Sequence, residues 1–162
     1  MPPGPCSHRV ATRHDVPALA RLVHAHHGAD PEGWAARLEQ ALAGGERVLV
    51  AEQDDVVVAY ARCGVRAPAD PDDPAPAGRW LTGAVVDPAH RRRGHARRLL
   101  GLLLAELRGA GEPVWSMAAA DNEASLALHA DLGFVEVLRA PRLLGEGFVA
   151  GGQGVLLRAD PT

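Results

Sequence analysis

The sequence predicts a single α/β domain whose sheet holds an antiparallel hairpin and one parallel strand pair, and three observations carry that prediction. Residues 80–120 read strand, helix, strand, an order that requires a right-handed crossover between two parallel strands. Residues 47–64 read as two strands about a tight turn at Asp54-Asp55. The chain of 162 residues, 47% hydrophobic and 23% charged, is the size of one ordinary globular domain that buries its core without disulfides.

The elements follow in order. Residues 1–7, MPPGPCS, are rich in proline and glycine and are expected to be disordered, so the domain is placed at 8–162 and opens with HRVATR as a short strand. Asp15 stands where a helix N-cap belongs, and Val16, Leu19, Ala20, Leu22 and Val23 recur at helical spacing up to a stop at Gly28. A second helix runs from about Pro31 through Trp34, Leu38 and Leu42 to Gly44-Gly45. After the hairpin, residues 66–78 place proline or aspartate at nearly every other position, which keeps them out of a sheet and makes them a surface loop. RWLTGAVV is a buried-type strand ending at Asp87-Pro88. The helix that follows, from Gly94 to about Arg108, shows an apolar stripe of Ala96, Leu99, Leu100, Leu103, Leu104 and Leu107. PVWSMAAA is the next strand, residues 122–132 a helix, and FVEVLR and GVLLRA are strands on either side of a glycine-rich stretch at 145–154.

Composition narrows the function. No apolar run approaches the roughly twenty residues a bilayer needs, and the N-terminus has no apolar signal region, so neither a membrane nor secretion is expected. Cys6 and Cys63 are the only cysteines and form no paired motif, which argues against a disulfide framework and a cysteine-based zinc site and suits a reducing cytoplasm. His24, His26 and His27 lack a supporting carboxylate or cysteine at ligand spacing, so no metal is expected there either. All 17 basic residues are arginine, and isoleucine is absent; both are the mark of a GC-rich coding sequence. The net charge of -3 conceals an asymmetry: residues 89–111 carry six arginines against Glu106 alone, which is +5 and leaves -8 elsewhere. Nucleic acid would call for a broadly basic surface, whereas one local patch points to a compact anion.

That patch lies in VVDPAHRRRGHARRLL, residues 85–100. Helix starts normally carry a capping oxygen and acidic residues, because orphan N–H groups and the positive dipole end favour them. Here Arg91, Arg92, Arg93 and Arg97 crowd the start, and Gly94 offers no capping oxygen. The arrangement is costly alone and becomes favourable when a phosphate binds the N–H groups, with Gly94 admitting its close approach. The competing reading is a solvated arginine run.

The segment resembles the acetyl-CoA-binding motif of the GNAT superfamily of N-acetyltransferases, Arg/Gln-x-x-Gly-x-Gly/Ala, through Arg91, Gly94 and Ala96. DNEASLALHADLGF at 121–134 is similar to the family's Asn-containing downstream segment, and VATRHDVPALARL to its opening strand and helix. The resemblance implies a mixed, mostly antiparallel sheet with a splayed parallel pair, flanked by helices on both faces. It also implies acetyl-CoA as cosubstrate. By position, Ala84, Val85 and Val86 would offer backbone groups to the pantetheine arm, Arg91, Arg92, Arg93, Gly94, His95, Ala96 and Arg97 would hold the pyrophosphate, and Asn122 would touch the cofactor. Each has a plainer reading: Val85 and Val86 as core strand residues, Asn122 as a helix N-cap, and Gly133-Phe134 as a C-cap with a buried aromatic.

The implied reaction moves the acetyl group of acetyl-CoA to a primary amine by direct attack in a ternary complex, with the oxyanion held by a strand N–H near Val86. Where the family often uses a tyrosine to protonate the departing thiolate, this chain has His129, which is either that acid or a helix histidine without a role. A glutamate of some members falls on Met117, leaving Asp30, Glu32 or a water chain as base. Cys63, on an edge-side hairpin and without an evident base, is not expected to be a nucleophile. The acidic stretches Asp30 to Glu32 and Asp70 to Asp73 favour a small cationic acceptor. A peptide N-terminal amine, a non-catalytic acyl-CoA sensor and a nucleotide-binding module are the alternatives. The partners expected are a small-molecule amine, no nucleic acid and no membrane, with homodimerisation open.

Overall fold

The computed structural model describes all 162 residues except 1, 3 and 150. Among the described residues the strands are β1 (Cys6–Val10), β2 (Arg47–Gln53), β3 (Val56–Arg66), β4 (Gly78–Val86), β5 (Val114–Ala119), β6 (Val135–Ala140), β7 (Arg142–Leu143), β8 (Glu146–Gly147) and β9 (Gly154–Ala159). The helices are α1 (Val16–His27), α2 (Pro31–Ala43), α3 (His95–Arg108) and α4 (Glu123–Asp131). Seven strands form one mixed sheet in the order β1-β2-β3-β4-β5-β9-β6, and β7 and β8 form a separate small hairpin. The sheet has a single parallel pair, β4 with β5, whose register holds only at Arg79↔Val114 and Trp80↔Trp115 although both strands run on. Near the point where pairing stops, Gly83 takes φ +152°, a backbone that favours glycine, and the neighbouring Trp80 and Leu81 are both buried, as in an interior strand covered on both faces.

The chain divides into two compact units, residues 1–64 with 83–103, and residues 65–82 with 104–162. In the first, Val16, Leu19, Leu22 and Val23 of α1 and Leu38 of α2 bury against Val48, Val50, Tyr60 and Val85 of the strands. The hairpin forms as expected, with Asp54 and Asp55 at φ 52° and 62° in the turn that suits the right-handed twist of its strands. In the second, Trp80, Ala140, Leu143 and Leu156 form the centre, with Trp115, Met117 and Phe148 against them.

Several expectations need correction. The fold begins at Cys6, not His8: Cys6 and Ser7 pair with Gln53 and Glu52, so the stretch expected to be disordered supplies the start of an edge strand, while residues 1 and 3 lie outside the described residues. Asp15 occupies the N-cap position of α1 without capping it. Its carboxylate instead receives both arms of Arg9 at 2.8 Å and the N–H of Thr12 at 2.7 Å. β3, which carries buried Cys63, lies inside the sheet between β2 and β4. The β7–β8 hairpin falls partly in the glycine-rich stretch; Asp73 joins it to the proline-rich loop by accepting the N–H groups of Leu144 at 3.2 Å and Gly145 at 2.8 Å.

Candidate functional site

The turn from β4 into α3 belongs wholly to the first unit. Asp87 donates its N–H to Val58 at 2.8 Å, and its Oδ1 accepts the N–H of Ala89 at 2.8 Å, capping a single 3-10 turn over Pro88–His90. Arg91 is extended, Arg92 takes φ +63° and Gly94 φ +82°, with Arg93 between them at ordinary negative φ. Alternation of this kind turns successive N–H groups toward one side, the backbone form of an anion nest. A non-glycine residue in the left-handed region costs about 1 kcal/mol or more, so Arg92 is held there by its surroundings. Helix α3 starts at once, with Arg98 donating to the Gly94 carbonyl at 3.0 Å.

Arg91, Arg92, Arg93, Gly94 and Arg97 are all exposed, and Ala96 is half-buried. A Cβ added at Gly94 meets no atom within 4 Å, so the turn is open on that side. Arg91 is oriented from behind, its Nη2 donating to Nδ1 of His26 at 2.7 Å. Since arginine only donates, that nitrogen of His26 bears no proton, and burial first, with His27 and Arg91 adding to it, holds His26 below the ordinary histidine value. Just before the turn on β4, Val85 is buried and Ala84 and Val86 are half-buried. Val85 joins the apolar core, its plainer role, and this does not remove its backbone from use.

His95, the first residue of α3, behaves differently from its neighbours. It is 7% exposed, with Nδ1 3.8 Å from Cys6 Sγ.

The second unit holds Asn122 and His129. Asn122 caps α4, its Oδ1 accepting the N–H of Ser125 at 3.1 Å, and it is exposed. His129 is buried at 6% exposure, its ring 5.2 Å from that of Phe134 in an edge contact. Its Nδ1 lies 2.8 Å from the carbonyl of Ser125 and carries the ring proton, while Nε2 lies 2.9 Å from Ser116 Oγ, whose single proton is shared between that nitrogen and the Leu81 carbonyl at 3.2 Å. Burial pushes its pKa down, against the Ser125 carbonyl that pushes it up, so the neutral ring dominates near pH 7. Both nitrogens are thus committed within the unit, and no N–H is left over to give. The chain's one tyrosine is no substitute, because Tyr60 sits in the first unit's core with its phenol pushed up to about 12 by burial. Met117 is half-buried against the apolar cluster around Trp80.

The acidic candidates are also partly committed. Asp30 caps α2 by accepting the N–H groups of Glu32 and Gly33, at 3.3 and 3.0 Å. Burial pushes Asp73 up, but the N–H groups of Ala75, Gly145 and Leu144 outweigh it and hold the carboxylate below its ordinary range. No helix among the described residues is long and apolar enough to cross a membrane.

The chain is similar to several known acetyltransferases. A mycothiol acetyltransferase of Clavibacter sepedonicus is 35% identical over 78% of this chain and 40% of its own length. An L-amino acid N-acyltransferase of Escherichia coli is 33% identical over 70% of this chain and 64% of its own. The chain therefore spans about two-fifths of the mycothiol acetyltransferases it matches. Among solved structures, a putative acetyltransferase from Salmonella typhimurium, determined with its cofactor acetyl-CoA, superposes with a TM-score of 0.74 at 25% identity, covering 97% of this chain and 94% of that one. With residues 16–134 matching the Acetyltransferase (GNAT) family, from the first helix through the arginine turn to Phe134, the chain belongs to that family.

Proposed function

We propose that this protein is an acetyl-CoA-dependent N-acetyltransferase acting on a small-molecule primary amine. The observation that carries the reading is the turn at Arg91 to Arg97, where left-handed Arg92 and Gly94, exposed arginines and an open face make a cradle for a diphosphate. Bound acetyl-CoA supplies an activated thioester carbonyl that a neutral amine attacks without a covalent enzyme intermediate. The turn's N–H groups and the side chains of Arg92, Arg93 and Arg97 hold the phosphates, and Arg91, fixed by His26, sets the turn's position. The backbone of Ala84 to Val86 orients the pantetheine arm, with an N–H near Val86 directed at the developing oxyanion. For Asn122, whose Oδ1 serves the cap of α4, a cofactor role rests on the family resemblance alone.

For His129 the hydrogen bonding favours positioning over acid catalysis, since the ring ties α4 to β5 through Ser125 and Ser116. His129→Gln, which can bond both partners, is expected to keep kcat and its pH profile, whereas His129→Phe lowers the thermal midpoint. A general acid would instead cost roughly a hundredfold to ten-thousandfold in kcat in both variants and remove one limb of the profile.

The acceptor is a cationic small molecule in this reading. It is supported by relatives named for small molecules and by the -8 charge outside the arginine segment. Because Asp30 and Asp73 spend their oxygens on backbone N–H groups, the attraction acts at long range and is screened over about 8 Å at physiological ionic strength. The test is consumption of acetyl-CoA against polyamines, aminoglycosides, amino acids and peptide N-termini at low and high salt. Turnover confined to cationic small amines and weakened by salt bears the reading out; no turnover with any amine, despite tight CoA binding, makes the protein a sensor.

A further inference from the structure

Cys6 and His8 stand two residues apart on β1, so the two-residue period of a strand puts both on one face. That face meets the first residue of α3, all within the first unit. Cys6 Sγ lies 4.0 Å from His8 Nε2 and 3.8 Å from His95 Nδ1, and the three donor atoms all lie within 4.8 Å of one another. Among the described residues no other three His, Cys, Asp or Glu side chains converge in this way. We propose that Cys6, His8 and His95 bind a borderline-soft divalent cation, with zinc(II) as the type, through one thiolate and two neutral imidazoles, leaving a fourth position open. The expectation that cysteine takes no part in metal binding came from spacing along the chain, and the fold overturns its premise by joining residues 89 apart.

The donor set selects the metal. No carboxylate is present, and Arg93 and Arg98 lie near the histidines, so a hard cation such as Mg(II) or Ca(II), which needs oxygen ligands, has nothing to bind. Zinc bonds to thiolate and imidazole, and the charge created when Cys6 gives up its proton to solvent offsets the surrounding arginines. Each neutral imidazole presents one ring-nitrogen lone pair to a cation. Four-coordinate zinc, with Zn–S about 2.3 Å and Zn–N about 2.0–2.1 Å, puts sulfur and nitrogen about 3.5 Å apart, so the two sulfur distances close by roughly half an ångström or less. Cys6 is exposed, while the His95 ring is buried with Nε2 unpartnered, so a metal at Nδ1 would fix a ring that no bond at Nε2 fixes.

The test uses the reduced, untagged full chain and cobalt(II) as a spectroscopic substitute for zinc, with no cofactor present, so that it stands or falls apart from acetyl transfer. One equivalent of cobalt is expected to give tetrahedral visible bands and a thiolate-to-cobalt charge-transfer band, both abolished by zinc. Cys6→Ser should lose the charge-transfer band, and His8→Gln should bind roughly 10–100-fold more weakly, the loss known even for outer partners of metal ligands. Zinc should raise the thermal midpoint of the native chain and not of Cys6→Ser. Absence of binding, cobalt bound without the charge-transfer band, or unchanged affinity in both variants would overturn the site; the last would put the metal on the exposed histidines of α1.

Discussion

Helix α4 begins with Asn122, whose side chain caps it, and with Glu123 in its first turn; helix α3 begins after Gly94, which has no side-chain oxygen, and carries His95 and Arg97 where acids normally stand. A good cap contributes about 1 kcal/mol, and unfavourable charge at a helix start costs about 0.3–1 kcal/mol. Helix α3 forms regardless, because Leu99, Leu100, Leu103 and Leu104 are buried, each worth about 1.5–3 kcal/mol. The difference teaches where each helix gets its stability. Helix α4 uses its own start, whereas α3 is held by its apolar stripe, and that leaves its first N–H groups for an external anion.

The largest effect that would break this comparison is at Gly94. Gly94→Asp gives α3 an acidic start like that of α4 and sets a carboxylate against the phosphates, so CoA affinity by calorimetry should fall by roughly 100-fold or more, with far-ultraviolet circular dichroism unchanged. Gly94→Ala isolates the left-handed strain, since its Cβ meets no neighbour, and should lose far less affinity. Equal loss in the two would mean that backbone shape, not charge, controls the site.

Asp15 sharpens the comparison as a third kind of start, one that stands at the cap position and serves another strand. The bonds from Arg9, against the opposing effect of burial, hold its pKa below the ordinary 3.8. The unfolded chain therefore takes up this proton first as pH falls. The stabilisation is complete above about pH 4 and is lost as pH drops through the folded-state value. Asp15→Asn should lower stability at neutral pH by about 1–3 kcal/mol and flatten the acid limb of a denaturant-midpoint profile. An unaltered acid limb would assign it to other carboxylates. The smallest effect is at Asn122: Asn122→Ala should cost about 1 kcal/mol, a shift of some 2–4 °C in thermal midpoint. If cofactor affinity falls by more than stability does, the side chain serves the ligand as well as the cap.

Periodicity and turn chemistry made the four helices, the hairpin and the parallel crossover legible, because each is specified by neighbours in sequence. The arginine turn was legible for the same reason: its oddity is local. What escaped is tertiary. Nothing near Cys6 announces His95, Asp73 gives no sign of Leu144, and the resemblance that suggested an acid at His129 could not show that Ser116 and Ser125 occupy both ring nitrogens. Asp15 and Asp30 both stand just before a helix, yet only Asp30 caps, because Arg9 on β1 claims Asp15.

Strand order also bears on how the chain is made. β9 lies between β5 and β6, pairing with β5 along its whole length and with β6 from Gly154 to Arg158 across a bulge. On the ribosome, β1, β2 and β3 can zip together once residue 66 has emerged, while β5 and β6 wait with open edges until Ala159 is free of the exit tunnel. For the span between, β5 has only its short pairing with β4 and β6 has no partner in the sheet, the state in which nascent chains aggregate or recruit chaperones. A stop codon before Gly154 would thus release a chain whose β1–β3 sheet is complete, whose β5 has one open edge and whose β6 has lost its partner in the sheet.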